Sequence, residues 1–240
     1  MNNKSERRWE LAQEYEREWW VARAKNLDLE FYKRFAQNVE EIVKPYYKVL
    51  KDHFILEIGS GAAGIITYLD CENKYAIDPL EKIYSTIKEF NSIRDRRVIY
   101  KTAKAENIPY KNEMFDFIIM DNVLDHCENP QKVIFELKRV LKTEGIIYFR
   151  QNTYHAWGKI IRSLIEFLKI DKGHPFTFLK SDLRKLFELN KLNVLYYQES
   201  GYLKTWIREI KSNRLYDKIK AIIFATRDKT TFILQRSNYV

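Results

Sequence analysis

One carboxylate and three glycines stand close together in the first third of the chain. Glu57 lies inside the apolar run Phe54–Ile58, and Gly59, Gly61 and Gly64 come directly after it. An apolar run that ends in a glycine-rich turn, with a second apolar run behind it, predicts a buried strand, a tight loop and a helix. Because glycine has no side chain, such a loop lets the backbone approach a nucleotide-like ligand closely.

The charge of Glu57 distinguishes between two classes of ligand. The spacing of the three glycines also fits a dinucleotide site, in which the loop and the helix N-terminus hold an anionic pyrophosphate. A carboxylate at position 57 would repel that group, whereas it suits a ligand that carries an α-amino group and a sulfonium. The alternative is a glycine-rich turn between strand and helix that binds no ligand.

A second carboxylate follows at the end of the next predicted strand. Asp78 lies 21 positions beyond Glu57, and it can accept hydrogen bonds from both ribose hydroxyls of a nucleoside. Aspartate also favours turns, and Pro79 follows directly, so a turn-forming role is the alternative. The glycine loop upstream favours the ribose-binding interpretation.

Polar residues also follow the fourth predicted strand, Phe115–Met120. Asp121 and Asn122 come directly after it, and His126 lies four positions beyond Asn122. Open α/β sheets bind ligands at the carboxyl ends of their strands, so this loop should border the site. A histidine can take a proton from a hydroxyl as that hydroxyl attacks a methyl group. His126 can equally stabilise the loop through a hydrogen bond to backbone.

Taken in order, these segments resemble the class I methyltransferases that use S-adenosylmethionine (SAM). The resemblance covers roughly residues 54 to 198 and rests on Glu57-x-Gly59-x-Gly61, Ala105-Glu106-x-x-Pro109, Val123-Leu124-x-His126 and Asp171-x-x-His174. It implies SAM as cofactor and S-adenosylhomocysteine as product. The residues that it assigns to cofactor binding are Glu57, Gly59, Ser60, Gly61, Asp78, Pro79, Ala105, Glu106, Asp121 and Asn122. The candidate catalytic bases are His126 and His174.

Two positions depart from the family's pattern. Lys104 stands where the family usually has an aspartate that accepts the adenine amino group, so Glu106 or a backbone carbonyl of this loop would have to replace that contact. Quinone-type O-methyltransferases carry Glu-x-x-Glu-His after the fourth strand and bind a divalent metal there. This chain has Asn122, Asp125 and His126 in those places, so one carboxylate is lost; a site without metal is favoured, and a divalent metal bound there is the alternative.

The order of apolar patterns predicts an α/β fold. Strands alternate with helices, which implies a parallel sheet with helices on both faces. The resemblance makes it a Rossmann-like, seven-stranded methyltransferase sheet, mostly parallel, with its last strand antiparallel. Residues 1–50 form a predicted helical N-terminal cap and residues 51–240 the methyltransferase domain, with helical insertions at about 152–180 and 202–228. Single helices are predicted from the glycine loop to Leu69, over Ile83–Phe90 and over Tyr202–Phe224.

The composition indicates a globular chain in a reducing compartment. The 240 residues are 45% hydrophobic and 15% aromatic, and no apolar run has the length that spans a bilayer. Cys71 and Cys127 are too few for a disulfide framework, and the polar N-terminus lacks a secretory signal, so a cytoplasmic location is expected. The formal net charge of +9 would favour nucleic acid, an anionic membrane surface or an acidic substrate.

The function expected from these features is methyl transfer from SAM to a hydroxyl of a small molecule or sugar. The Asp171-x-x-His174 segment and the lack of an Asn-Pro-Pro-Tyr motif favour that acceptor. Six Lys and Arg residues between positions 204 and 220 favour RNA instead. The apolar residues among them suit a membrane and a lipid-linked acceptor. A SAM-binding protein without catalytic activity is the third alternative, and the oligomeric state stays open.

Overall fold

A computed structural model describes residues 3–167 and 176–237, which form a mixed sheet with helices on both faces. The helices are α1 (Asn3–Arg23), α2 (Leu29–Val43), α3 (Glu81–Tyr84), α4 (Lys88–Ile93), α5 (Pro130–Val140), α6 (Ala156–Phe167), α7 (Lys180–Leu189), α8 (Tyr202–Ile210) and α9 (Leu215–Ile222). The strands are β1 (Phe54–Ile58), β2 (Asn73–Asp78), β3 (Ile99–Thr102), β4 (Phe115–Asp121), β5 (Leu141–Tyr154), β6 (Phe178–Leu179), β7 (Leu192–Glu199) and β8 (Asp228–Arg236).

The order of the strands confirms the predicted Rossmann-like sheet. Seven of the described strands lie side by side as β3-β2-β1-β4-β5-β8-β7, and the two-residue β6 pairs with β5 outside this path. Strands β1 to β5 run parallel to one another, while β8 is antiparallel to both β5 and β7. The carboxyl ends of β1, β2 and β4 therefore meet at one edge, where open α/β sheets bind their ligands.

Helices bury both faces of this sheet. Successive residues of β4 point to opposite sides, so Ile118 packs with α5 and α7 while Ile119 packs with α2. On α2 the buried residues Phe35, Val39 and Val43 recur every four positions, and this stripe contacts the sheet. Coverage from both sides explains why six consecutive residues of β4 are buried.

The prediction of a helix from the glycine loop to Leu69 is wrong. A single 3₁₀ turn, Ile65–Tyr68, takes its place. Lys74 on β2 ends this turn, because its buried Nζ donates to the carbonyl oxygen of Leu69 at 2.7 Å and to that of Thr67 at 3.5 Å. A longer helix would need those carbonyl oxygens for its own N–H groups.

Two other helices that were predicted as continuous are divided. The helical segment around Ile83–Phe90 consists of α3 and α4, because the hydroxyls of Ser85 and Thr86 donate to carbonyl oxygens of the preceding turn. The long basic segment consists of α8 and α9. Ser212 lies between them and accepts the N–H of Arg214 at 3.1 Å. The basic segment is therefore a helical hairpin.

The hairpin of α8 and α9 exposes large apolar side chains. They recur at helical spacing on each helix and comprise Leu203, Ile207 and Ile210 on α8 and Leu215, Ile219 and Ile222 on α9. In α9 the buried Ala221 lies on the opposite side from this stripe. No helix in the part of the chain that the structure describes is long and apolar enough to cross a membrane.

Candidate active site

The loop after β1 has the backbone conformation that its glycines permit. Gly59, Gly61 and Gly64 have φ angles of 65°, 57° and 50°, in the left-handed region that residues with a Cβ rarely adopt. The N–H of Gly59 donates to the carbonyl oxygen of Ile77 at 2.8 Å, which ties the loop to the end of β2. The loop is thus a sharp, glycine-dependent turn at the carboxyl edge of the sheet, as predicted.

Glu57 supports this loop through the backbone that follows it. Its Oε1 and Oε2 accept the N–H groups of Ile65 and Ile66 at 3.1 and 2.9 Å. A Cβ at Gly64 would lie 2.9 Å from Oε2, so the carboxylate and this glycine require each other. Burial raises the pKa of Glu57 to about 7, although the two backbone hydrogen bonds oppose the rise. Each carboxylate oxygen retains a second lone pair for a further donor.

Asp78 holds the other side of the loop from the end of β2. Its Oδ2 accepts the N–H of Gly61 at 2.9 Å, and its Oδ1 accepts that of Leu80 at 2.8 Å. Burial raises the pKa of Asp78 to about 6. Pro79, which is half-buried, leads from this carboxylate towards α3, and the buried Ser60 lies within the loop itself.

Two side chains from other elements cover the glycine loop. A Cβ at Gly61 would lie 2.3 Å from the ring of Trp20, and a Cβ at Gly59 would lie 2.3 Å from Cγ2 of Val123. Trp20 belongs to α1, and its indole N–H donates to Glu16 at 3.0 Å. Helix α1 therefore lies directly against the loop in this structure.

A buried ion pair fixes the loop from a third direction. Arg94 donates through Nε to the carbonyl oxygen of Ala62 at 2.8 Å. Its two terminal nitrogens contact both oxygens of Glu81 at 2.7 and 2.8 Å. The side chains are only 5% and 7% exposed, so removing either partner would leave the other charge buried without compensation.

The loop after β3 is anchored by Glu106. Its Oε1 accepts the N–H groups of Glu128 at 2.7 Å and Asn129 at 3.1 Å, just before α5 begins. Lys104 pairs with Glu128 at 3.3 Å, and its Nζ lies 3.5 Å from the centre of the Trp9 ring on α1. The lysine that departs from the family's pattern thus connects α1 to this loop, next to the buried Ala105.

The side chains that follow β4 contact β5. Asp121 forms a two-point pair with Arg150, with distances of 2.5 Å to Nε and 2.8 Å to a terminal nitrogen. Asn122 has a φ of 56°, and its Oδ1 accepts the N–H of Asn152 at 3.0 Å. The structure thus places both predicted cofactor residues at the correct edge, with their side chains engaged by the neighbouring strand.

His126 ends the 3₁₀ turn Leu124–His126, which follows β4. Its Nε2 lies 3.8 Å from Oδ1 of Asp125, which is 4% exposed. The second predicted base, His174, lies outside the described residues. Within residues 3–167 and 176–237, no group of three or more His, Cys, Asp or Glu side chains is arranged to hold a metal ion.

Three residues of this region escaped the sequence analysis. Trp20 belongs to the predicted N-terminal cap, but the sequence did not place its ring against Gly61. Arg94 contacts the loop from 33 positions away, and Arg150 meets Asp121 across 29 positions. Neither arginine belongs to a local motif, so only the tertiary fold shows these contacts.

Comparison with known proteins identifies the family. Residues 56–149 match the family model described as Methyltransferase domain. Over 218 residues the chain is 30% identical to the uncharacterized protein MJ1123 of Methanocaldococcus jannaschii, an alignment that covers 88% of this chain and 89% of the relative. The chain belongs to the class I SAM-dependent methyltransferases.

Two shorter matches have named activities. Over 108 residues the chain is 29% identical to a ubiquinone biosynthesis O-methyltransferase of Rickettsia bellii, covering 44% of this chain and 45% of the relative. Over 133 residues it is 26% identical to a tRNA U34 carboxymethyltransferase of Aliarcobacter butzleri, covering 54% of this chain and 43% of the relative. The chain thus spans less than half the length of either enzyme.

A solved structure shares the fold. The geranyl diphosphate C-methyltransferase of Streptomyces coelicolor, crystallised with S-adenosylhomocysteine, matches with a TM-score of 0.64 at 10% identity. The match covers 84% of this chain and 80% of that chain. At this identity the likeness concerns the fold alone.

The residues at the carboxyl edge fit the cofactor, which is SAM. SAM presents ribose hydroxyls, an ammonium group and a sulfonium, all of which suit carboxylate partners. Glu57 and Asp78 are buried carboxylates with raised pKa values, so a bound cation or hydrogen-bond donor would stabilise their ionised forms. The backbone from Gly59 to Gly61 carries no bulky side chain. These residues would hold the cofactor.

Proposed function

We propose that this enzyme methylates a hydroxyl group of a small-molecule or sugar acceptor. The observation that carries the proposal is an imidazole beside a buried carboxylate, His126 with Asp125, in the turn after β4. That turn follows the strand next to β1, so it lies at the same sheet edge as the glycine loop. An imidazole there can remove a proton from a hydroxyl. The relative named as an O-methyltransferase supports this acceptor class.

The proposed reaction is an in-line displacement. The bound cofactor supplies an electrophilic methyl group, so the protein contributes mainly alignment. The glycine loop, Glu57 and Asp78 orient the cofactor, and α1, which lies against this loop, excludes water from it. His126 takes the proton as the acceptor oxygen forms its bond to carbon, and the nearby Asp125 carboxylate stabilises the resulting imidazolium.

Transfer of a tritiated methyl group from SAM tests this proposal. The protein is incubated with labelled SAM and separate metabolite and RNA fractions of a cell extract. We expect label in the metabolite fraction. His126→Ala should retain SAM affinity but lose about 100-fold or more in turnover, as expected for a general base. Equal turnover of His126→Ala and wild type would show that His126 is not the general base. His174→Ala tests the second histidine in the same way.

The exposed surface of the α8–α9 hairpin supports a lipid-linked molecule as the acceptor. The α8–α9 hairpin presents six exposed apolar side chains, and its two acidic residues are paired internally. Glu209 contacts Lys220 at 2.9 Å and Thr226 at 2.7 Å, while Asp217 contacts Lys220 at 2.9 Å. The remaining exposed Lys and Arg side chains make the hairpin basic, which suits an anionic membrane surface.

RNA methylation is the second candidate. The same basic hairpin and the relative named as a tRNA carboxymethyltransferase favour it. Label recovered in the RNA fraction, together with an RNA affinity that falls steeply with salt, would replace the small-molecule proposal. The third alternative, a SAM-binding protein without catalytic activity, predicts no label in any fraction.

A further inference from the structure

A small polar cavity lies beside the candidate active site, and the proposed function assigns no role to it. Its volume is about 140 Å³, and it opens at the carboxyl edge of β4 and β5. The residues that line it are Asn122, Arg150, Gln151, Asn152, Arg227 and Lys229.

The sheet register explains why cations gather in this cavity. Lys229 on β8 pairs with Asn152 on β5, and cross-strand partners share one face of the sheet. Arg150 lies two residues before Asn152, so alternation brings Arg150, Asn152 and Lys229 to that face. Arg227 directly precedes β8 and reaches the same cavity. Arg150 also pairs with Asp121 on β4. The cavity therefore lies on the same face as Glu57, which pairs with Ile119 two residues before Asp121.

The charges in this cavity are not balanced by the protein. Arg150 is neutralised by Asp121, at 2.5 and 2.8 Å. Within residues 3–167 and 176–237, neither Arg227 nor Lys229 makes a side-chain hydrogen bond or ion pair. Burial lowers the pKa of Lys229, and the positive charges of Arg150 and Arg227 lower it further. Asp121 opposes this decrease, but it is already paired with Arg150, so the half-buried Arg227 and Lys229 have no ion-pair partner of their own among the described residues.

The amide side chains of the cavity also leave donors available. Oδ1 of Asn122 accepts the N–H of Asn152 at 3.0 Å, and Oε1 of Gln151 accepts that of Leu124 at 3.1 Å. Because these oxygens are engaged by backbone, the amide NH₂ group of Asn122 is left for a ligand. A cavity with two uncompensated cations and amide donors suits an anion.

We propose that this cavity binds an anionic group, a phosphate or a carboxylate, of the methyl acceptor. The inference rests on the proposed function and narrows its substrate class to acceptors that carry an anionic group. Neighbouring strands are about 4.8 Å apart, so β8 lies roughly 10 Å from β4 and 14 Å from β1. An acceptor of ordinary metabolite size can therefore place its anion here and its hydroxyl near His126.

Binding of inorganic phosphate provides the first test. Calorimetric titration at low ionic strength compares wild type with Arg227→Gln/Lys229→Gln. The matched control is Arg214→Gln/Lys218→Gln, which removes two exposed cations of the hairpin and leaves the cavity intact. We expect the cavity variant to bind phosphate at least about tenfold more weakly, since each lost charge-assisted hydrogen bond weakens an anion complex by that order. Equal affinity in the cavity variant and wild type overturns the inference.

The labelled product provides the second test. We expect the methylated product from the metabolite fraction to be retained on an anion exchanger, and the cavity variant to form at least about tenfold less of it. Treatment with phosphatase distinguishes the two anions, because it releases a phosphate ester from the resin and leaves a carboxylate retained. A product that is not retained overturns the inference while leaving methyl transfer established.

SAM affinity, measured on the same samples, separates this inference from the proposed function. We expect wild type and both double variants to bind SAM equally, within about twofold. A tenfold loss in the cavity variant would assign the cavity to the cofactor's own carboxylate and overturn an acceptor site. Absence of SAM binding in the folded wild type would instead contradict the proposed function itself.

Discussion

At the scale of single residues, the glycine loop depends on positions where no side chain fits. Gly59→Ala places a Cβ 2.3 Å from Val123 in a backbone with a φ of 65°. We expect a folded protein that binds SAM at least about 100-fold more weakly, because the loop must move to relieve the contact, and 100-fold corresponds to about 2.7 kcal/mol. Calorimetric titration with SAM measures the change.

Gly201→Ala is the matched control for this substitution. Gly201 also has a positive φ, 97°, but its Cβ would meet nothing closer than 3.7 Å. Both variants bear the conformational penalty of the left-handed region, roughly 1 to 2 kcal/mol, and only Gly59→Ala adds the clash. Equal SAM affinity of the two variants would contradict the placement of the cofactor on this loop.

The two buried carboxylates predict opposite effects of pH on stability and on cofactor binding. Burial raises the pKa of Glu57 from 4.5 to about 7 and that of Asp78 from 3.8 to about 6. The folded apoprotein thus holds these protons more tightly than the unfolded chain does, so its stability falls as pH rises from about 4 to about 7. A cationic ligand favours the ionised carboxylates, so SAM affinity should rise over the upper part of that range.

Calorimetry at several pH values, in buffers of different ionisation enthalpy, checks this linkage. We expect SAM binding at pH 6 to release protons and its affinity to rise up to about tenfold per pH unit for each proton released. Glu57→Gln and Asp78→Asn should each flatten the profile. An affinity that does not depend on pH in the wild type would show that neither carboxylate responds to the cofactor.

At the scale of secondary-structure elements, we expect α1 and the glycine loop to rearrange together when the cofactor binds. The ring of Trp20 occupies the space next to Gly61, and its indole N–H donates to Glu16. We expect SAM to change the tryptophan fluorescence of the wild type, because the environment of Trp20 changes. Trp20→Phe should lose most of this change, while Trp157→Phe, on α6, where the indole N–H donates to the carbonyl oxygen of Ile223, should retain it.

The same elements show which parts of the fold can be predicted from sequence patterns. Apolar runs and alternation predicted β1, β2, β3, β4, β5, β7 and β8, because such strands have a strong local signature. The helix after the glycine loop was mispredicted, since Lys74 reaches back from β2 to take the carbonyl oxygens that would have continued it. Local spacing also could not show that hydroxyls at Ser85 and Thr86 would divide a helix. Lys74 from the next strand and the two local hydroxyls all bind backbone carbonyl oxygens of a helical segment, and such side-chain hydrogen bonds override helix propensity.

The residues of the candidate site likewise fall into two groups: those that a local motif predicts and those that only the tertiary fold brings together. Glu57, the three glycines and Asp78 were predictable because one motif contains most of them and the strand order brings the rest together. The contacts of Arg94, Arg150 and Trp20 were not, because each joins elements that are distant in the sequence. The cavity around Lys229 likewise exists only through the pairing of β5 with β8.

At the scale of the whole molecule, cofactor binding should stabilise the fold. A ligand at 100 times its dissociation constant adds about 2.7 kcal/mol when it binds only the folded state. For a chain of 240 residues, this corresponds to a rise in Tm of about 5 to 10 °C. Differential scanning fluorimetry with S-adenosylhomocysteine measures it, and Gly59→Ala should rise by no more than about 2 °C under the same conditions, because a 100-fold weaker ligand is then only at its dissociation constant.

The crystal structure of the protein with S-adenosylhomocysteine tests the central claim most directly. We expect the ligand along Gly59–Gly61, with the ribose hydroxyls at Asp78 and the adenine near the loop that contains Glu106. Trp20 should have moved from the position that it occupies here. Well-ordered ligand bound away from the carboxyl edges of β1 and β2, with Trp20 still against Gly61, would contradict it.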